Sequence, residues 1–425
     1  MKKKIVVCLL IINTLSINVF AQKNTNSPYT RFGYGELVDV GFGRTKGMGG
    51  VAFGLRSKSM INPANPAAFS CIDSTSFLFE FGVSGLLSNF STQNTSTTKF
   101  TGNLDYFALQ FPVTKWLGMS AGILPYSFVG YNFSTKDSTL MPNSNDSVFI
   151  RKNRLFSGSG GISQVYFGLS VDLFKRLSLG ANGYYMFGTI NNYRALDISS
   201  SDGMSSPNDY LAHSSIHHSE LAVRSFNARF GLQYRQPLRH KKDMLVIGAI
   251  YEFQTKLGST LINTLTVGAD SIVATDTTKN GFQIPNVYGL GLTYSYENRL
   301  LIGADFQFQQ FSKAKFYDDK LNNRMKISVG GEYIHKPTSA KYIDRMSWRL
   351  GVNYTNSYIN VNERGTHNFA VTAGVGFPFR NSKSVVNLNF EYGKIGSVEM
   401  LQEQYFRFGI NLTLNENWFF KSVVR

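Results

Sequence analysis

The chain has 425 residues, with 43 Lys and Arg against 27 Asp and Glu, for a formal net charge of +16. Only 16% of it is charged while 14% is aromatic, which excludes a disordered chain. Its two cysteines, Cys8 and Cys71, exclude a disulfide framework and a cysteine-rich zinc module.

The first element along the chain is a targeting segment. Lys2, Lys3 and Lys4 precede an apolar run at 5–12, and Val19-Phe20-Ala21 supplies the small residues a signal peptidase reads. This predicts a signal peptide over 1–21 and export from the cytoplasm. Beyond residue 21 there is no run of 18 apolar residues, which argues against a bundle of membrane-spanning helices.

Residues 22–73 form a second unit with no alternating pattern. Gly33, Gly35, Gly41, Gly43, Gly47, Gly49, Gly50 and Gly54 allow close backbone packing. Asn62-Pro63-Ala64 and Asn65-Pro66-Ala67 follow, and two prolines three apart exclude a continuous ladder or helix. A periplasmic tail and a compact plug both fit this composition.

From residue 74 the chain alternates with period two. Ile302, Ala304, Phe306 and Phe308 oppose Gly303, Asp305, Gln307 and Gln309; Trp348, Leu350 and Val352 oppose Arg349, Gly351 and Asn353. Fourteen strands are predicted: 74–87, 99–112, 117–133, 161–173, 177–193, 215–235, 243–258, 284–296, 299–312, 324–336, 345–361, 367–379, 384–395 and 404–414. A soluble sandwich hides the apolar face and a membrane barrel shows it to lipid. Most of these segments exceed the roughly 9–11 residues a tilted strand needs to cross a bilayer. The expected fold is all-β: a fourteen-stranded antiparallel transmembrane barrel over 74–414, with a periplasmic tail at 415–425. Short turns at 112–116, 174–177, 297–299 and 380–383 alternate with long polar outer loops near 134–160, 194–214 and 259–283, the asymmetry of an outer-membrane barrel. Tyr294, Tyr296, Tyr354, Tyr358, Phe377 and Phe379 are expected in the interfacial girdles.

The run Gly47-Met48-Gly49-Gly50-Val51-Ala52-Phe53-Gly54-Leu55, followed by Asn65-Pro66-Ala67, resembles the hatch of the FadL-type outer-membrane transporters for long-chain fatty acids and other hydrophobic compounds. The resemblance implies an N-terminal hatch inside a fourteen-stranded barrel, with Asn65, Pro66 and Ala67 as its motif. Ser27-Pro28-Tyr29-Thr30-Arg31-Phe32-Gly33 lies outside that pattern. Pro125 cannot donate to a ladder and Gly122 weakens pairing, so the third strand breaks there. An ordinary rim bulge accounts for this, and so does the inward kink that opens the wall sideways in the family; the resemblance implies a lateral gate at Gly122 and Pro125.

Glu80, Arg229, Asp305, Glu332, Arg349, Glu391 and Arg407 are expected to face the lumen, where such charges usually pair with one another or with a plug. An anionic head group needs a guanidinium fork, for which Arg229, Arg349 and Arg407 are the candidates. His213, His217 and His218 lack the cysteines or ordered carboxylates of a metal site. There is no Gly-x-Ser-x-Gly elbow, and the glycine run at 158–161 does not have the setting of a phosphate loop. The distributed basic excess argues against nucleic acid; Lys175, Arg176, Arg235, Arg239, Lys241, Lys242, Arg380 and Lys383 suit lipid head groups or simple solvated turns. The expectation is a monomeric, cofactor-free, non-enzymatic barrel in the Gram-negative outer membrane. It takes up a hydrophobic small molecule passively, holds that ligand or a detergent in its lumen, and releases it laterally at the third strand. The alternative is a barrel scaffold of a protein secretion system.

Overall fold

The computed structural model describes residues 24–418 apart from 143–146, 175, 201–214, 239–242, 269–270, 318–320, 362–363, 380–382 and 400. The expected signal peptide, Lys175, Arg239, Lys241, Lys242, Arg380 and His213 lie outside the described residues.

Among the described residues nineteen strands follow one another: β1 (Glu36–Leu37), β2 (Ser76–Ser91), β3 (Ser96–Pro112), β4 (Leu117–Pro142), β5 (Ser147–Leu173), β6 (Leu177–Ser200), β7 (Ser215–Pro237), β8 (Asp243–Glu252), β9 (Thr255–Lys256), β10 (Ser259–Val267), β11 (Ser271–Lys279), β12 (Gln283–Ile284), β13 (Val287–Tyr296), β14 (Leu300–Gln309), β15 (Arg324–Ile334), β16 (Ser347–Val361), β17 (Arg364–Pro378), β18 (Val385–Ser397) and β19 (Leu401–Asn417). The seven strands β2–β8 and the seven strands β13–β19 pair antiparallel in one ring, which β19 closes against β2 from Gln402↔Ser91 to Asn417↔Ser76. The fourteen predicted strands are these fourteen. β19 runs to Asn417, three residues into the expected tail, and Trp418 still donates to the Thr75 carbonyl.

The ring is apolar outside and polar inside. Ile302, Phe306, Trp348, Leu350, Val352, Phe406 and Ile410 are exposed, whereas Asp305, Glu332, Arg349 and Asn411 are buried. That is the reverse of a sandwich, and it puts the alternating apolar face against lipid. The short turn at 297–299 follows from local geometry: Glu297 and Asn298 take φ of 53° and 55°, and the Arg299 amide donates back to the Tyr296 carbonyl (2.8 Å).

All three expected outer loops contain strand. Residues 134–142 and 147–160 continue β4 and β5, 194–200 continue β6, and β10 (259–267) pairs with β11 (271–279) on one side and with the outer half of β7 on the other, from Ser259↔Val223 to Val267↔Ser215. Polar residues interrupt the alternation of these stretches while their cross-strand pairing continues, and Phe156 and Leu261 still pack into the core. The wall is therefore lopsided. β4, β5, β6 and β7 hold 26, 27, 24 and 23 residues, against 10 or 11 in β8, β13, β14 and β15. One side of the barrel rises into a sheet of β4–β7 with β10 and β11.

Candidate functional site

Residues 43–72 fill the lumen as a hatch. Its backbone lies directly on wall glycines: a Cβ at Gly248 would strike the Phe53 carbonyl oxygen, one at Gly330 the Met48 carbonyl, and one at Gly351 the Gly49 amide. The polar-or-glycine face of the strands is the footprint of this plug. Asp305 accepts the amides of Ala52 (2.6 Å) and Phe53 (2.8 Å), and Glu80 accepts that of Ile61 (2.8 Å). Both Asn-Pro-Ala triplets hold the hatch together. Asn62 donates to the carbonyls of Ala52 (2.7 Å) and Leu55 (2.9 Å); Asn65 donates to that of Phe53 (2.7 Å) and caps the turn Pro66–Cys71 by accepting the Ala67 amide (3.1 Å). Pro66 opens that turn, where a missing N–H costs nothing. The Ala67 carbonyl accepts from Arg56 (2.7 Å) and from Ser170 of β5 (2.9 Å). Burial pushes the Cys71 thiol up, despite the nearby Arg56.

The wall has a seam between β3 and β4. The two strands pair only from Pro112↔Gly118 to Phe107↔Ile123, whereas β4 stays paired with β5 along its whole length. Gly122 is one residue before the parting and Pro125 two residues after it. Pro125 remains opposite Ser163, and the register slips between Pro125 and Ser127. The distortion crosses into the next strands at the same height. Gly161 and Gly188 take φ of 150° and 149°, and a Cβ at either would meet the carbonyl oxygen of the strand before it, Ser127 or Gly161. Only glycine tolerates that crowding in that conformation. The glycine run at 158–161 thus shapes a bend in the wall.

The N-terminal segment closes the seam from inside. β1 pairs with β4, Glu36↔Phe128 and Leu37↔Ser127, and the Val38 amide donates to the Tyr126 carbonyl (2.9 Å). Since β5 takes the other edge of β4, β1 occupies the edge that β3 has left. Ser27 donates to Glu403 (2.6 Å), Asn103 of β3 donates to the Asn24 carbonyl (2.8 Å), and Gly130 donates to the Thr30 hydroxyl (3.1 Å). Tyr34 is fully buried, edge-on to Phe282 and Phe316. Tyr358, expected in the girdle, is inside: its hydroxyl accepts the Tyr34 amide (3.0 Å) and donates to the Gly35 carbonyl (2.6 Å). The register irregularity between Asn356 and Asn360 turns it inward.

Every expected lumen charge has a partner. Arg229 pairs with Glu252 and donates to the Ala64 carbonyl (3.2 Å). Arg349 and the hatch residue Arg44 share Glu332, each at 2.6 Å. Arg407 reaches Glu36 (3.0 Å) and Glu391 (3.8 Å). The three candidate forks are thus engaged with protein carboxylates. Sequence reasoning missed Asp39, which bridges Arg324 (2.9 Å) and Lys326 (2.6 Å) of β15. Burial alone would raise the Asp39 carboxyl, but the two cations overcome it and hold it well below the usual carboxylate range. A cavity of about 200 Å³ remains beneath the strap of residues 36–41, lined by Glu36, Asp39, Lys46, Asp105, Arg324 and Arg407 among others; a smaller one of about 60 Å³ adjoins it at 37–40 and Arg324. No group of three His, Cys, Asp or Glu suited to a metal occurs among the described residues.

A family model described as BamG matches residues 1–424. No curated protein matches the chain. Among solved structures, the Ralstonia pickettii toluene transporter TbuX is 18% identical with a TM-score of 0.59, covering 88% of this chain and 98% of its own. The Pseudomonas putida toluene transporter TodX is 16% identical, TM-score 0.59, covering 90% and 100%. A Pseudomonas aeruginosa FadL homologue is 14% identical, TM-score 0.58, covering 90% and 100%. At such identities the likeness is one of fold. The architecture is that of the FadL-type barrels, and the chain is a multi-pass outer-membrane barrel.

Proposed function

For this chain, which belongs to the BamG family, we propose the role of a sealed outer-membrane barrel that carries a protein-binding platform. The observation that supports this most is the state of the lumen. Hatch and strap leave spaces of about 200 and 60 Å³, bordered by paired charges and apolar side chains, and a more open space of about 510 Å³ lies away from the hatch at Lys256, Leu257, Gly258, Asn280, Gln283 and Lys315. Small-molecule sites usually measure about 300–1,000 Å³ and are mostly apolar. The two lumen spaces fall below that size, and a hydrocarbon entering them would desolvate ion pairs, although Leu37, Val40 and Leu86 also line the larger one. The tall sheet of β4–β7, β10 and β11 instead offers an extended surface beyond the membrane belt. It carries Arg151, Lys152 and Arg154 on β5 and the exposed Arg154–Asp137 pair. No covalent chemistry is assigned to it.

The seam favours a second reading: passive uptake of a hydrophobic small molecule, such as a long-chain fatty acid, with lateral exit beside Gly122 and Pro125. Two of the similar structures are of toluene transporters, which supports that class of ligand.

The test has two arms. A photo-cross-linker at Arg154 in whole cells should capture a discrete protein partner, with the lipid-facing position Leu350 as control. Proteoliposomes of the intact chain should take up toluene and oleate no faster than empty vesicles. Accelerated uptake together with an Arg154 site that captures nothing would replace the first reading with the second.

A further inference from the structure

We propose that the freed edge of β4 at Tyr126–Phe128 is a strand-addition site, occupied in cis by residues 34–40. In trans it would accept an extended segment of a partner protein that carries two carboxylates three residues apart behind an aromatic. This site is separate from the outer sheet and does not depend on it.

Three observations carry the proposal. The first is topological. β3 stops pairing with β4 beyond Phe107↔Ile123, and of the β4 edge that it leaves, β1 takes only Ser127 and Phe128, with Val38 donating to the Tyr126 carbonyl. A strand edge at membrane depth needs a main-chain partner, because lipid cannot supply hydrogen bonds. An added strand satisfies it, and side-chain pockets then select which strand.

The second is the chemistry of those pockets. Arg407 meets Glu36, Arg324 and Lys326 meet Asp39, and Phe282, Phe316 and Tyr358 surround Tyr34. The wall therefore presents one aromatic slot and two cationic positions. A segment with the order aromatic-x-acid-x-x-acid matches them, as the resident sequence Tyr34-Gly35-Glu36-Leu37-Val38-Asp39 does.

The third is the weakness of the resident strand's middle. Residues 36–41 are half-buried or exposed and border the cavity, whereas residues 47–53 of the hatch are almost wholly buried. Asp39 keeps 41% of its side chain exposed to the cavity although both its cations are nearly covered. Such a strap can leave its edge without unseating the hatch.

The experiment uses the full chain in a Cys71→Ala background carrying Leu37→Cys and Ser127→Cys, an opposed pair in the β1–β4 register. Oxidation locks the strap and reduction frees it; unchanged heat-modifiable gel mobility verifies the fold in both states. The probe is a fluorescent peptide with the sequence of residues 34–41. Binding should be seen in the reduced protein and lost in the oxidised one. In Glu36→Gln/Asp39→Asn protein, whose resident strand competes less well, apparent affinity should rise roughly tenfold, as the competent fraction increases. A peptide with Gln and Asn at the two acidic positions should bind more weakly. Equal binding to locked and freed protein would overturn the proposal, as would no binding to either the freed protein or the double variant. Slower formation of the cross-link between positions 37 and 127 on adding toluene, without any peptide binding, would overturn it too and make the strap a hydrocarbon gate.

Discussion

The hatch and the strap come from one continuous N-terminal stretch, share one lumen, and are held in different ways. The hatch at 43–72 lies with its main chain on glycines and has buried acceptors for its amides, so moving it would bare polar groups on both sides. The strap at 34–41 hangs from a two-residue ladder, one buried tyrosine and ion pairs that border a cavity. Neighbouring glycine-rich segments can therefore be one fixed and one releasable. The difference lies in how many backbone groups the wall has taken over.

The largest effect expected from breaking this comparison is at Gly248. Gly248→Val would push a branched side chain into the Phe53 carbonyl and expel that part of the hatch. Single-channel conductance in planar bilayers should then rise from near zero to that of an open fourteen-stranded pore. An unchanged conductance would show that the hatch can shift without opening the lumen.

Next in size is Glu332→Gln, which leaves Arg44 and Arg349 facing each other in a buried site without their shared carboxylate. Removing one partner of a buried ion pair costs about 3–5 kcal/mol. Urea unfolding in detergent should show a loss of that order, and a loss below about 1 kcal/mol would mean that water enters to screen the arginines.

Asp39→Asn should do far less to global stability, under about 1 kcal/mol, because its carboxylate borders water. Its readout is local: a maleimide should label Ser127→Cys faster in this variant than in the parent. The same reporter carries a pH dependence. The folded Asp39 carboxyl sits below its ordinary value of about 3.9. Its contribution is thus complete above that value and lost only as pH falls through the lowered one. Labelling attributable to Asp39 should be the same at pH 7 and pH 5; an Asp39-dependent rise already at pH 5 would contradict the ion-pair geometry.

The smallest change is expected from Pro125→Val. The parting from β3 precedes residue 125, and Gly161 and Gly188 carry the bend. Stability and seam labelling should stay within error of the parent. Closure of the seam in Pro125→Val would assign the break to the proline and sharpen the contrast with Gly188→Val, which should straighten or destabilise the wall.

Much of this molecule was legible in one dimension. Alternation at Ile302–Phe308 and Trp348–Val352 needs no tertiary context, because lipid and lumen impose opposite polarity on successive residues of any spanning strand. The glycines and prolines of 22–73 left a tail and a plug both open, and the hatch was legible only through the family resemblance of 47–55 and Asn65-Pro66-Ala67, although Asn62 does as much as Asn65. The hidden parts are those where the alternation fades. Residues 134–142, 259–267 and 271–279 are strands rich in Ser and Thr, so only their pairing reveals them. Ser27–Gly33 looked like an unassigned insert, Tyr358 like a girdle tyrosine, and the glycine run at 158–161 like a loop. Each acquires its place around the strand edge that β3 vacates, through contacts between residues distant in the chain. Period two determined the barrel. Which edge stayed free, and which segment filled it, was decided only when the ring closed with β3 and β4 parted beyond Ile123, because a ladder hydrogen bond depends on where two backbones meet and leaves no mark on the side chains.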